Sequence, residues 1–292
     1  MAHLLEHLPE ILSHTLLDTL KIVPFLFLTY LLMELLEHKS GDTVAKGLQK
    51  AGRVGPLVGG VLGILPQCGF SAAATGLYTG RIVTSGTLIA VYLSTSDEML
   101  PILISSGAPL SFIARVLGIK LAVGILAGFC IDLVAHLAFP KKNEVPQLQI
   151  EELCEREKCR CGEHFALSAL RHTASITLFI LLFNVILNLV IHGVGEEKLF
   201  SFVSATPILG NLLAAVVGLI PNCAASIALT ELHLGGILSV GAMLSGLFVN
   251  AGVALPILFR NNRPLRDSLR ITALLFFIGT LAGILIDLLH IF

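Results

Sequence analysis

Charge is what this sequence is short of. Of its 292 residues, 13% are Asp, Glu, Lys or Arg, where a soluble domain of this length carries about a quarter. Hydrophobic residues make up 55% and the mean hydropathy is +0.87. The missing charge excludes an ordinary soluble domain. With a net charge of −1 and no basic stripe, the chain also has nothing to grip a nucleic acid. No G-x-x-x-x-G-K-[ST] run is present to bind a nucleotide. The apolar runs do not alternate as the strands of a membrane barrel would. The first basic residue is Lys21, so a positive n-region is missing and no secretory signal is expected.

What is present is a set of apolar runs long enough to cross a bilayer, which takes about 20 residues. They are Leu16 to Leu36 (broken by Asp18, Lys21 and Glu34), Leu121 to Phe139, Ser175 to Ile191 and Ile271 to Phe292. The chain reads as an all-α polytopic membrane protein.

It also reads as a duplication. Offset by 155 residues, Gly63–Leu133 matches Gly218–Leu288 without a gap at 24 of 71 positions, against roughly one in ten by chance in so biased a composition. Pro66/Pro221, Cys68/Cys223, Ser71/Ser226, Gly86/Gly241 and Asp132/Asp287 are among the matches. Internal duplication of this kind builds many secondary transporters.

Loop charge sets the sense of the repeat. The segment after the first span carries Lys39, Lys46, Lys50 and Arg53, while its counterpart carries Glu196, Glu197 and one Lys. Later in each half the bias reverses, with one Arg in "SSGAPLSFIAR" and four in "RNNRPLRDSLR". Since Lys and Arg stay cytoplasmic, the halves are expected to be inverted. The first half then holds a span (about 14–37), a broken hairpin (54–80) and two further spans (84–106 and 110–138); with the second half alike and the hairpin arms counted separately, this makes ten helical pieces in all. The N-terminus and 193–204 fall outside; 38–53, 139–165 and 259–270 fall inside. Arg115 and Lys120 fit this less well, in the outer part of a span. Residues 1–138 form the first repeat, 139–165 a cytoplasmic Cys/His-rich linker, and 166–292 the second repeat.

"GILPQCGFS" and "GLIPNCAAS" interrupt apolar runs with Pro, an amide, Cys and Ser. Pro66 and Pro221 withdraw a backbone donor and disfavour helix just before them, and Ser71 is expected to cap the next helical piece. The expected result is broken, re-entrant half-helices meeting at the bilayer midplane, where irregular backbone is tolerated only around a protein-lined cavity. A second interruption, "VYLSTSDEMLPIL", sets Asp97 and Glu98 in an apolar span, with Asn250 at the corresponding break of the other half. Carboxylates at that depth cost several kcal/mol and mark function by default; the bland alternative is a loop at the interface. The candidate substrate site is Cys68, Cys223, Asp97, Glu98, Asn250, Gln67, Asn222, Ser71 and Ser226. Thiolates favour soft ions and oxygens favour hard ones, and both are offered. Prolines used as kinks, with Cys as a small packing residue, are the competing explanation.

The linker "CEREKCRCGEH" spaces Cys154, Cys159, Cys161 and His164 as four N/S ligands for a zinc-type site, or as incidental residues of a solvated linker. His3, Glu6, His7, Glu10 and His14 share one helical face, read as the polar side of an interfacial helix or as a weak metal site. Asp132 and Asp287 are candidates for proton coupling, or boundary carboxylates.

At "LPQCGFSAAATGLYTGRI", "LSTSDEMLPIL" and "IPNCAASIALTELHLGGILS" the chain resembles a bacterial family of ten-helix heavy-metal exporters, also described as manganese transporters and distantly related to organoarsenical permeases. The resemblance covers nearly the whole chain. It implies metal or metalloid efflux across a bacterial cytoplasmic membrane, and it carries the family motif onto Pro66, Cys68, Asp97, Pro221 and Cys223.

Together these readings favour a secondary, proton-coupled exporter of a divalent heavy metal or metalloid (manganese, zinc-like or arsenic-like), and not an enzyme. The alternatives are a permease for a small organic solute or anion held at half-helix termini, and a membrane-embedded thiol enzyme or sensor, against which no His is placed to activate Cys68. No cofactor is required, and a bound zinc-like or manganese ion is compatible with the reading. The implied partners are membrane lipid, the ion carried, and protons or sodium as coupling ion. A homodimer stays open, and no nucleic acid is expected.

Overall fold

The computed structural model describes residues 54–66, 68–96, 98–138, 165–194 and 207–292, with part of 16–31. Among these residues the structure is helical and contains no strand. The described residues of 16–31 are helical. Eleven further helices follow: α1 (Gly55–Gly63), α2 (Cys68–Thr79), α3 (Ser85–Ser94), α4 (Met99–Ser105), α5 (Leu110–Ala138), α6 (Phe165–Val194), α7 (Pro207–Gly218), α8 (Cys223–Leu234), α9 (Val240–Val249), α10 (Ala254–Asn261) and α11 (Leu265–Leu288). The duplication is visible in this order. Adding 155 to the first residues of α2, α3, α4 and α5 gives the first residues of α8, α9, α10 and α11.

Five stretches among the described residues are long and apolar enough to cross a membrane: Ser85–Ser105, Leu110–Leu137, Ala169–Ile186, Val240–Asn261 and Leu265–Leu288. The outward faces of α5, α6 and α11 are apolar, with Leu126, Leu178 and Phe277 each exposed by 65% or more. A continuous apolar exterior of this kind has no place in water. The protein is a multi-pass membrane protein. The stretches 85–105 and 240–261 are buried instead, and each is two helices end to end, broken at 95–98 and 250–253. Those breaks divide two of the ten expected pieces.

α1 and α2 are nine and twelve residues long, about 14 and 18 Å at 1.5 Å per residue, so neither crosses alone. Close approach of backbones lets α3 lie on α5 and α9 on α11. A Cβ on Gly86 would meet the Gly128 carbonyl and the Asp132 carboxylate, and one on Gly241 would meet the Gly283 carbonyl and Asp287. Small residues at helix crossings are how membrane helices pack without a hydrophobic drive between them.

α11 fixes the two ends of the molecule, since its 24 residues span about 36 Å. At its start, Asp267 accepts from the Tyr78 hydroxyl at 2.7 Å and lies 3.6 Å from Arg81, which also donates to the Arg263 carbonyl at 3.0 Å. We call this the first end. Beyond the last residue of α11, Phe292 packs edge-on against Phe112, which stacks on His233 at 5.7 Å. This is the second end. α5 therefore begins at the second end, whereas α11 begins at the first.

The halves also pack reciprocally. α2 lies against α10 and α8 against α4, while α3 touches α9. Tyr78 and His233 are repeat mates, as are Asp267 and Phe112, so the same pair of positions is in contact at both ends. One end uses a hydrogen bond and an ion pair, and the other uses stacked rings.

Candidate functional site

Helices α2 and α8 meet head to head. Each begins with the cysteine of its interrupted motif, and the two sulfurs, Cys68 Sγ and Cys223 Sγ, lie 3.4 Å apart. The depth follows from the helices. Cys68 is ten residues from Tyr78 at the first end, and Cys223 is ten residues from His233 at the second. Each is thus about 15 Å from its own end along a helix. Around them lie Leu26 of the N-terminal helical residues, Ile176 and Ile180 of α6, Val253 just before α10 and Ile257 within it. Cys68 is buried, and Cys223 is partly so.

The local chemistry is nearly the same on the two sides. Ser71 donates to the Cys68 carbonyl at 2.9 Å, and Ser226 to the Cys223 carbonyl at 2.8 Å. One turn on, Thr75 donates to Ser71 O and Thr230 to Ser226 O, both at 2.7 Å. Such back-bonding satisfies hydroxyls where water is absent. It also corrects one expectation. Ser71 sits inside the first turn and its hydroxyl is turned to a carbonyl, so it caps nothing. The cap of α8 is Asn222, whose Oδ1 accepts from the Ala224 amide at 3.4 Å. The amide residue before the cysteine, and not the serine after it, serves the helix start. Its mate Gln67 lies outside the described residues.

Two helix N-termini thus point at one place, where the dipoles and unbonded amides favour negative charge. A pair of sulfur ligands fits such a setting, because the positive helix ends offset charge that gathers on sulfur. The second pair of breaks lies at a similar depth. α3 and α9 start near opposite ends and run ten residues inward, about 15 Å, before stopping at Ser94 and Val249. Glu98 is the residue before α4. Asn250 ends α9; its Oδ1 accepts from the Gly252 amide at 2.9 Å, while its buried Nδ2 has no hydrogen-bond partner among the described residues. The other expected carboxylate, Asp97, and the linker set Cys154, Cys159, Cys161 and His164 lie outside the described residues, as do His3, Glu6, His7, Glu10 and His14. Among the described residues no group of three His, Cys, Asp or Glu side chains gathers as a metal site; the sulfurs are a pair.

Asp132 and Asp287 act at helix starts. Asp132 accepts from the Gly86 amide at 2.9 Å and the Thr84 hydroxyl at 2.7 Å. Asp287 accepts from the Gly241 amide at 2.8 Å and from the Ser239 hydroxyl and Asn211 amide, both at 2.7 Å. Each ties the first turn of α3 or α9 to the far part of α5 or α11.

Lys120 lies ten residues into α5, about 15 Å of helix from Leu110, and is 0% exposed. Its Nζ donates to the Leu247 carbonyl at 2.9 Å and sits 5.0 Å from the centre of the Phe248 ring. The sequence marked it only as a poor fit to the loop charges, although a lysine inside a membrane helix is itself a signal. The Tyr78–Asp267 and His233–Phe112 contacts were also missed; the 155-residue offset relates one contact to the other but does not say which positions touch.

No curated protein and no solved structure matches the chain. A family model described as "Putative, 10TM heavy-metal exporter" matches residues 8–192, more than half of the sequence, and the chain belongs to that family.

Proposed function

We propose that the protein exports a thiophilic heavy metal or metalloid, held between Cys68 and Cys223 at the centre of the membrane, by secondary transport across a bacterial cytoplasmic membrane. The observation that carries this is the 3.4 Å approach of two sulfurs from residues 155 apart, each heading its own short helix. A tetrahedral ion with metal–sulfur bonds of about 2.3 Å holds two sulfurs roughly 3.8 Å apart, and a linear one roughly 4.6 Å. Bent, pyramidal or tetrahedral coordination therefore needs little movement, and linear coordination needs more than 1 Å. Asp97, Glu98 and Asn250 are the oxygen donors of this reading, by which harder ions such as manganese would be held.

The halves are read as inverted repeats. Supporting this are the opposed directions of α5 and α11, the reciprocal packing of α2 on α10 and α8 on α4, and the loop charges. In this arrangement the first end is cytoplasmic. The Tyr78–Asp267 and His233–Phe112 contacts are then the two gates over one midplane site, opening in alternation. Protons are the coupling ion of this reading: a carboxylate at the 95–98 break trades a proton for the cargo. Protonation of Asp132 or Asp287 would in turn withdraw an acceptor from the start of α3 or α9. The linker cysteines and His164 would collect metal on the cytoplasmic side.

A second reading, a permease for a small anion, draws on the two helix N-termini that face the site, since such ends bind anions. The two readings separate in reconstituted liposomes. Metal export predicts uptake or efflux of cadmium or arsenite that is lost in Cys68→Ser/Cys223→Ser, with manganese less affected, and that responds to an imposed pH gradient. Wild-type protein that moves none of these ions, or a double variant that moves them all unchanged, would reject it.

A further inference from the structure

Two thiols in contact can do more than hold an ion. Cys68 Sγ and Cys223 Sγ lie 3.4 Å apart as free cysteines. A disulfide needs about 2.05 Å, so joining them takes a movement of about 1.4 Å. Each cysteine opens its helix, and Ser71 and Ser226 bond the two cysteine carbonyls in the same way. The two halves therefore present their sulfurs alike. Among the described residues no third Cys, His, Asp or Glu gathers with the pair, and the side chains packed around it are apolar. A sulfur oxidised here has the other sulfur already in contact.

Hydrogen peroxide balances the reaction. One sulfur attacks a peroxide oxygen, the O–O bond breaks, a sulfenic acid forms, and the released hydroxide takes the thiol proton as water. The second sulfur then attacks the sulfenic sulfur. The S–O bond breaks, and the hydroxyl leaves with the second thiol proton as another water. Two electrons have passed from the two sulfurs to the peroxide. A small dithiol restores both thiols by exchange and is itself oxidised.

On the reading of the pair as the cargo site, we infer that it is also an oxidation switch: peroxide joins Cys68 to Cys223 and shuts the site, and cargo bound between them prevents it. Two effects coincide in the linked state. Both thiolate donors that a soft ion needs are gone. The heads of α2 and α8, from residues 155 apart, are also tied covalently, so the halves cannot part there. An ion held by both sulfurs engages the lone pairs that oxidation would use. Loaded protein is spared, and empty protein is closed.

The test uses full-length protein with Cys130, Cys154, Cys159 and Cys161 replaced by Ser, so that only the pair can oxidise, and each arm compares that protein with itself. Peptide mapping reads the link, cadmium flux into liposomes reads transport, and thermal unfolding reads the tie between the halves. Peroxide is expected to produce the Cys68–Cys223 link and to lower cadmium flux by about tenfold or more, since both soft donors are lost together. It is also expected to raise the unfolding temperature by several degrees, because the link closes a long loop. Dithiol should reverse all three, and cadmium added first should slow the linkage severalfold. With Cys68→Ser added, peroxide is expected to leave the unfolding temperature unchanged. The proposal is overturned if no link forms, if linked protein carries cadmium as fast as reduced protein, or if cadmium fails to slow the linkage. Reduced protein that carries neither cadmium nor arsenite refutes the cargo reading instead; the lock between the halves then stands if the link forms and raises the unfolding temperature, and falls if either fails. Should the four-serine protein not fold, the same measurements on wild type, with the link identified by mapping, decide.

Discussion

The pairing of Cys68 with Cys223 was legible in the sequence because duplication maps one onto the other, each beside Pro, an amide and Ser. Their contact at 3.4 Å makes them the first residues to test. Cys68→Ser and Cys223→Ser are expected to lose cadmium or arsenite transport before manganese, because sulfur matters most to soft ions; equal loss of every ion in a transport panel would speak against a sulfur ligand. Asp97→Asn is expected to cost more divalent transport than Ser71→Ala, whose hydroxyl serves only a carbonyl of its own turn. What could not be read was which residue caps α8, since Ser and Asn are both good caps and only the position of the first turn decides. Gly86 and Gly241 were visible as repeat mates, but not for their purpose. Gly86→Ala would push a methyl into the Gly128 carbonyl and Asp132, and is expected to destabilise the protein by about 1–3 kcal/mol, read as a lower unfolding temperature.

Helices are where the sequence spoke most clearly and then stopped. Pro66 and Pro221 announced the ends of α1 and α7, and the acids at 97–98 announced the gap between α3 and α4. Pattern alone could not say that α2 rests on α10 and α8 on α4, because which elements of two halves touch is settled by packing across the whole interior. The closures at the two ends belong to this level. Arg81 adopts a left-handed backbone (φ 61°), and its repeat mate Gly236 does the same (φ 75°). A non-glycine residue accepts that conformation at some cost, and here it brings the guanidinium to Asp267. Asp267→Asn weakens the ion pair with Arg81 and is expected to raise the rate at which a hydrophilic maleimide, applied from the first end, alkylates Cys68; Phe112→Ala is expected to do so for Cys223 from the second end. Unchanged labelling in both variants would mean that these contacts do not limit access.

For the whole molecule, membrane residence and helical class follow from the scarcity of charge, which composition alone reveals. The sense of the repeat rests on loop charge, and its test is sidedness. Single cysteines at 197 and 263, in a background without the others, are expected to react with impermeant reagents from opposite sides; reaction from one side would dismiss the inverted arrangement. The proximity of the halves has its own test. After proteolysis within 139–165, mild oxidation is expected to hold the two fragments together through Cys68 and Cys223 on a non-reducing gel, and Cys223→Ser to release them.

The head-to-head cysteines have a consequence for timing. Each half contributes one sulfur, so an ion held by both is a strap across the interface between them. Any motion that parts α2 from α8 must first break one metal–sulfur bond, and the strap can pass to solvent or to an oxygen donor only as fast as ligands exchange around the ion. Among cargoes of equal affinity, the one whose thiolates exchange most slowly would be carried most slowly, and small competing thiols, which open a path for exchange, would speed it. Turnover would then follow the coordination kinetics of the cargo more closely than its binding strength.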